Sequence, residues 1–203
     1  MAELTTADSI RQTLGKPREQ ALKKIYSHLN PRMLEFISRS PLVMLSSIDE
    51  DGWPTVSPRG DAPGFVKSQG KQTLLIPEYK GNKLAFTLHN LLSNPKLALL
   101  FVIPGVNEVL RVQGTGRLIK DSKICQQLAS NTQPALLVTE VLVDKAYFHC
   151  GKALMRSHAW QQNEWPKSMK VSLGTEVAEN IGESEEFVRD YDEGVEGRYV
   201  TDI

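Results

Sequence analysis

Leu42-Val43-Met44-Leu45-Ser46-Ser47-Ile48-Asp49-Glu50-Asp51-Gly52-Trp53-Pro54-Thr55-Val56-Ser57-Pro58-Arg59-Gly60 is the stretch that decides the fold. Its first seven residues are an apolar run containing Val43 and Leu45. Asp49-Glu50-Asp51-Gly52 is a turn signal, because Asp side chains bond to nearby backbone and Gly tolerates positive φ. From Trp53 the chain resumes in extended form. The whole is a predicted β-hairpin.

Working outward, the pattern stays mainly β. Phe65-Val66, Gln69-Gly70-Lys71 and Thr73 to Ile76 predict a second hairpin. Leu97 to Ile103 predicts a buried strand. Pro104-Gly105-Val106-Asn107 turns the chain into a long strand over 108–119, where Gly114 and Gly116 predict a bend or bulge. Residues 136–148 are β-rich again. Helices are expected between these strands. Residues 18–29 predict one, with Leu22, Ile25, Tyr26 and Leu29 on one face. Pro31 opens a short helix that Pro41 ends. Asn82 is the expected cap of a helix over 83–92, with Leu84, Leu88, Leu91 and Leu92 inward. Asp121 is expected to cap a helix reaching about Ala129, and 151–158 predict a short one. Antiparallel β with inserted helices predicts a small barrel or an α+β sheet. After Trp165-Pro166 the chain becomes polar and gives no clear pattern.

The chain has 203 residues, 40% hydrophobic and 24% charged, which suits one domain with a full core and argues against disorder. No apolar run approaches the ~20 residues of a membrane helix. A basic start followed by an apolar stretch is missing, and there are two cysteines, Cys125 and Cys150. A cytoplasmic protein with no membrane partner is expected. The net charge of zero hides an asymmetry. The segment 176–203 carries a net −8 and residues 1–175 carry +8. Such a body could receive an anionic small ligand, or could be offset by its own tail. No dense Lys/Arg stripe points to nucleic acid. His28, His89, His149 and His158 are scattered, and no zinc-ligand spacing occurs. No Gly-x-Ser-x-Gly elbow is present.

Three segments could receive an anion. Ser57-Pro58-Arg59-Gly60-Asp61 ends a predicted strand, and arginine suits bidentate phosphate binding. Alternatively, Arg59 and Asp61 pair on a hairpin rim. In Pro77-Glu78-Tyr79-Lys80-Gly81-Asn82-Lys83 a glycine flanked by lysines precedes the expected helix start, where backbone N–H groups and the dipole favour an anion. In 149–160, Lys152 and Arg156 lie four apart with Ser157 alongside. Trp160 would extend that face and shield a flat aromatic ligand, or would anchor a surface helix to the core.

Together these segments resemble the flavin-binding relatives of pyridoxamine 5′-phosphate oxidase. The hairpin 42–60 has that family's form of apolar strand, Asp-x-x-Gly, strand and basic residue. Leu75-Ile76-Pro77 with Gly81-Asn82-Lys83, a helix and Asn94-Pro95 is the second match. Phe101-Val102-Ile103-Pro104-Gly105 leading to Leu110-Arg111-Val112-Gln113-Gly114-Thr115-Gly116 is the third. Phe148-His149-Cys150-Gly151-Lys152-Ala153 with Arg156-Ser157 and Trp160 resembles an uncharacterised branch. The resemblance spans about residues 32–165, with 1–31 and 176–203 appended to one domain over 1–203.

The resemblance implies a split β-barrel, mainly antiparallel with peripheral helices, and a homodimer holding FMN at the subunit interface. It implies that Arg59 and Lys83 bind the FMN phosphate, helped by Gly81 and Asn82 at the helix start. Pro58, Gly60, Ile76 and Pro77 would line the isoalloxazine edge. Arg111, Lys152, Arg156, Ser157 and Trp160 would approach from the partner subunit, and no metal is implied. Arg111 or Lys152 would stabilise charge on the reduced ring; no catalytic acid or base is assigned, although His149 and His158 are candidates. The chain departs from the oxidase proper. Its Arg-x-x-x-x-Lys pattern and its C-terminal Arg-x-His signature are missing. The implied function is an FMN-dependent oxidoreductase of an unknown small molecule, and these departures argue against vitamin B6 as that substrate. The alternatives are a non-catalytic flavin-storage or sensing protein, or a split barrel binding a deazaflavin or haem.

Overall fold

The computed structural model describes residues 3–81 and 83–202. Two short helices, α1 (Ala7–Leu14) and α2 (Glu19–Leu22), precede α3 (Pro31–Arg39). The strands β1 (Leu42–Ile48), β2 (Pro54–Gly60), β3 (Lys67–Gln69) and β4 (Thr73–Glu78) follow. Then come α4 (Phe86–Ser93), β5 (Lys96–Val102), β6 (Val109–Ile119), α5 (Ser122–Gln127) and β7 (Leu137–His149). The chain finishes with α6 (Lys152–Arg156), a 3-10 turn over Gln162–Glu164, α7 (Leu173–Ile181) and α8 (Glu185–Thr201).

All seven strands form one antiparallel sheet in the order β2-β1-β5-β6-β7-β4-β3. The expected β1–β2 hairpin is present, with Leu42 opposite Gly60. Asp49 makes the turn: its carboxylate accepts from the N–H groups of Asp51 and Trp53, while Gly52 takes a φ of 87°. The bend foreseen at Gly114 is a register shift between Gln113 and Gly114 against β7. A side chain at Gly114 would collide with the Leu142 carbonyl, so close strand approach requires glycine there.

The sheet curls around a core in which Val43, Leu45, Leu74, Ile76, Phe101, Leu110 and Val112 are buried. Helix α3 closes one side of it with Met33 and Ile37. Asn30 caps that helix by accepting from the Met33 N–H at 3.1 Å, and Pro31 occupies the first turn. A smaller cluster of Leu75, Cys125, Leu128, Ala135 and Val138 lies under α5. Asp121 caps α5 through the N–H groups of Lys123 and Ile124, as expected.

Four expectations need correction. The helix over 18–29 is reduced to the single turn of α2, and Leu22 and Ile25 are exposed. Beyond it Tyr26 exchanges two backbone hydrogen bonds with Ala146 of β7, and the Leu29 N–H donates to the Lys71 carbonyl. Sheet-edge groups capture this segment before a helix can propagate. The helix expected from 83 begins at Phe86, because Ala85 sits in the left-handed region with φ 51°. Leu91 is buried, but Leu84 and Leu92 face outward. The expected cap Asn82 lies outside the described residues. The second hairpin takes its first strand from Lys67 instead of Phe65, and Phe65 and Val66 enter the core. The polar region after Pro166 folds into α7 and α8, which pack together. There the Gly174 N–H donates to Asp192 at 2.8 Å.

Candidate functional site

Strand alternation puts Thr55, Ser57 and Arg59 on the inner side of β2, and Pro54, Val56, Pro58 and Gly60 on the outer side. The register then fixes what each meets. Arg59 is opposite Val43, which is opposite Phe101, which is opposite Leu110. An arginine therefore stands at the end of a core row. Burying a guanidinium is costly unless it is paired and hydrogen-bonded.

The pairing comes from β4. Arg59 Nε donates to Glu78 Oε2 at 2.8 Å, and the two side chains are 10% and 8% exposed. Arg59 Nη1 donates to Ser57 Oγ at 2.6 Å and to the Pro58 carbonyl at 3.0 Å. Thr139 of β7 donates to Glu78 Oε1 at 3.0 Å. The rim pair between Arg59 and Asp61 does not form; Asp61 accepts from the Ala62 N–H instead. One atom is left over. Arg59 Nη2 is buried and has no hydrogen-bond partner. An unsatisfied buried donor of this kind costs roughly 1–3 kcal/mol, and more when charged.

Arg59 lines a cavity of about 360 Å³ between β2 and β4, together with Ser57, Pro58, Gly60, Pro77 and Lys80. Tyr79 borders it and donates its hydroxyl to the Leu128 carbonyl at 3.0 Å. Burial, then a hydrogen bond and the negative charge of Asp61, push the Tyr79 phenol above its ordinary value. It stays protonated across the working pH range. Lys80 stands at the rim, 58% exposed, with Nζ 2.7 Å from Asp202 Oδ1 beyond α8. That contact holds the Asp202 carboxyl below the usual carboxylate range.

The structure brings Pro58, Arg59, Gly60 and Pro77 together around one cavity. Ile76 is fully buried in the core and lines no part of it. Gly81 and Lys83 are exposed; the Lys83 N–H donates to the Gly81 carbonyl, three residues before α4 begins. The helix start is therefore not at Lys83. Asn82 is outside the described residues. Sequence reasoning missed Glu78, Thr139 and Tyr79. The one available signal was an acid ending the apolar strand Leu74 to Pro77.

Arg111 lies on the opposite face. The outer row runs Pro58, Met44, Leu100, Arg111 and Tyr147 by register. There Arg111 lines a separate groove of about 290 Å³ with Met44, Gln113 and Tyr147. Arg111 and Arg59 of one chain thus face different spaces. At the far end of β7, burial and then the charges of Arg111 and Lys24 hold the His149 pKa below the ordinary imidazole value.

Lys152, Arg156 and Ser157 are exposed on and just after the five-residue α6. Ser157 Oγ donates to the Leu154 carbonyl at 3.2 Å. The expected continuous face up to Trp160 is broken, because His158 takes a φ of 51°. Trp160 is half-buried and donates Nε1–H to the Val106 carbonyl at 3.0 Å, which makes it an anchor within its own chain. None of these four lines the Arg59 cavity of the same chain. Among the described residues, no group of three or more His, Cys, Asp or Glu side chains is placed to hold a metal ion. Nor is any helix there long and apolar enough to cross a membrane.

This architecture is found in known proteins. A variant of HupZ from Group A Streptococcus is similar, with a TM-score of 0.50 and 18% identity over 60% of this chain and 99% of that one. A Clostridium acetobutylicum protein related to general stress protein 26 of Bacillus subtilis, of the pyridoxinephosphate oxidase family, gives 0.45 and 17% over 57% and 84%. HutZ, the haem storage protein of Vibrio cholerae, gives 0.40 and 16% over 60% and 94%. At 18% identity the likeness to HupZ is one of fold alone. No curated protein matches the sequence. The family model described as pyridoxamine 5′-phosphate oxidase matches residues 29–150, which contain every strand of the sheet. The chain is a split barrel and belongs to the pyridoxamine 5′-phosphate oxidase family.

Proposed function

We propose that this chain binds FMN in the Arg59 cavity and works as an FMN-dependent oxidoreductase on a small molecule, in a homodimer. The observation that carries the reading is Arg59 Nη2, a buried donor without a partner on a residue that lines the cavity. A ligand acceptor placed there recovers what the orphaned donor costs. Family membership supports a flavin as that ligand. Bound FMN would supply the redox chemistry.

The protein's own groups would bind and orient it. Arg59 donates from Nη2 while Glu78 and Ser57 hold its guanidinium in place. Pro58, Gly60 and Pro77 present backbone and apolar edges to a flat ring. Lys83 lies on the segment leading from Glu78 to α4 and adds a polar group near the same end of β4. Arg111 and Lys152 are exposed, and from a partner subunit either would place positive charge beside the ring, where reduction gathers negative charge. Arg156, Ser157 and Trp160 would border the same cleft.

The test is the visible absorption spectrum of the purified protein before and after addition of FMN, with the mass measured by size exclusion. Oxidised-flavin bands at one equivalent per chain, in a dimer, are expected. No flavin bands and no binding of added FMN would overturn the reading. A haem spectrum would replace the ligand and keep the barrel.

A further inference from the structure

We infer that Lys80 receives the phosphate of the ligand, and that Asp202 holds that position as an internal counter-ion until the ligand displaces it. The inference rests on the reading of the Arg59 cavity as the ligand site.

The charge arrangement leads there. Arg59 is already neutralised by Glu78 at 2.8 Å, so the pair offers one free donor and no net positive charge. A phosphate brought against Arg59 would also meet the Glu78 carboxylate, and like charges at such range repel. Lys80 is the other cation lining the same cavity. It stands at the exposed rim, where a phosphate keeps part of its water. Lys83 lines neither this cavity nor the adjoining one.

A second observation shows what Lys80 takes. A carboxylate is already seated on it: Asp202 Oδ1 lies 2.7 Å from Nζ, across 122 residues of sequence. Gln133 Nε2 donates to the Asp202 backbone carbonyl at 2.9 Å and fixes the approach. Lys80, Tyr79 and Gly60 border both the Arg59 cavity and an adjoining one of about 340 Å³ that Asp202 also lines. The Asp202 carboxylate therefore stands where a second anion would compete with it. An ion pair with one partner this exposed is weak, and a phosphate carries more charge than a carboxylate, so displacement favours the ligand. The acidic segment from Glu176 onward thus meets the basic body at this contact, as it does at Lys170–Glu196.

The experiment compares FMN with riboflavin, which lacks the phosphate, by titration into the full chain and into two variants. Lys80→Met is expected to weaken FMN about tenfold and to leave riboflavin unchanged. Asp202→Asn is expected to tighten FMN about threefold, again with riboflavin unchanged. If Lys80→Met leaves FMN affinity intact, or lowers both ligands equally, the phosphate assignment is overturned. If Asp202→Asn leaves FMN affinity as it was, the counter-ion role is overturned. Failure of the unaltered protein to bind either flavin overturns the cavity reading and this inference with it. That double absence is distinct from normal FMN binding that ignores Lys80.

Discussion

Arg59 of β2 and Glu78 of β4 meet at 2.8 Å, Nε to Oε2, although the hydrogen-bonded ladder places four strands between them. The contact therefore spans the curl of the sheet. It clasps the opening of the barrel from within, and Thr139 of β7 steadies the carboxylate. The same contact leaves one guanidinium nitrogen, Nη2, buried and without a partner on a residue that lines the cavity. On the proposed reading, stability and binding meet at one ion pair.

Removing one partner should cost more than removing both. Glu78→Gln leaves the Arg59 charge buried and uncompensated, and is expected to lower unfolding stability by about 3–5 kcal/mol. Arg59→Met with Glu78→Leu replaces the pair by apolar groups of similar volume; it leaves the Thr139 and Ser57 hydroxyls without these partners and should cost about 1–3 kcal/mol, less than Glu78→Gln. Urea unfolding of the three proteins measures both. A double variant as unstable as the single one would contradict the coupling.

Gly64 sits in the connection from β2 towards β3, next to Phe65, which borders the cavity. Its φ is +80°, and an added Cβ would lie 2.7 Å from the Ser38 carbonyl oxygen. Gly64→Ala is expected to cost about 1–3 kcal/mol through backbone strain and displacement of α3. Gly70, with φ +69° and open space around it, is the control. Gly70→Ala meets the backbone strain alone and should cost about 1–2 kcal/mol, less than Gly64→Ala. Thermal melts that show equal losses would contradict the steric argument.

The pH dependence follows from His149. Burial first, and the positive charges of Arg111 and Lys24 next, hold its imidazole below the ordinary value of 6.5. The unfolded chain accepts this proton more readily than the folded one. The contribution is thus fully present above about 6.5 and is lost as pH falls through the lower folded value. Tm should drop as pH is taken from about 7 to 5, and His149→Gln should flatten part of that drop. Parallel curves for the two proteins would contradict it.

Local signals carried much of the fold. Asp49 and Gly52 announced the first hairpin, Gly114 its bulge, and Asp121 its helix cap, because each acts on neighbours in sequence. The segment 18–29 misled because Leu22, Ile25, Tyr26 and Leu29 have helical spacing. What settles it is the pairing of Tyr26 with Ala146, which no local pattern reveals. The site divides in the same way. Arg59 was visible as a cation at a strand end. Its partner Glu78 was not, because their meeting depends on how far the sheet curls. Lys80 was visible only as a flank of a helix start that the structure moves to Phe86.

The most direct test of the central claim is FMN titration into the unaltered protein and into Arg59→Met/Glu78→Leu, with Tm recorded for both. The account predicts one FMN per chain in the unaltered protein. It predicts affinity at least about tenfold weaker in the double variant, which the Tm shows to be folded at the titration temperature, since the orphaned donor and its support are gone. Equal FMN affinity in the two folded proteins would show that the Arg59 cavity is not where the flavin is held.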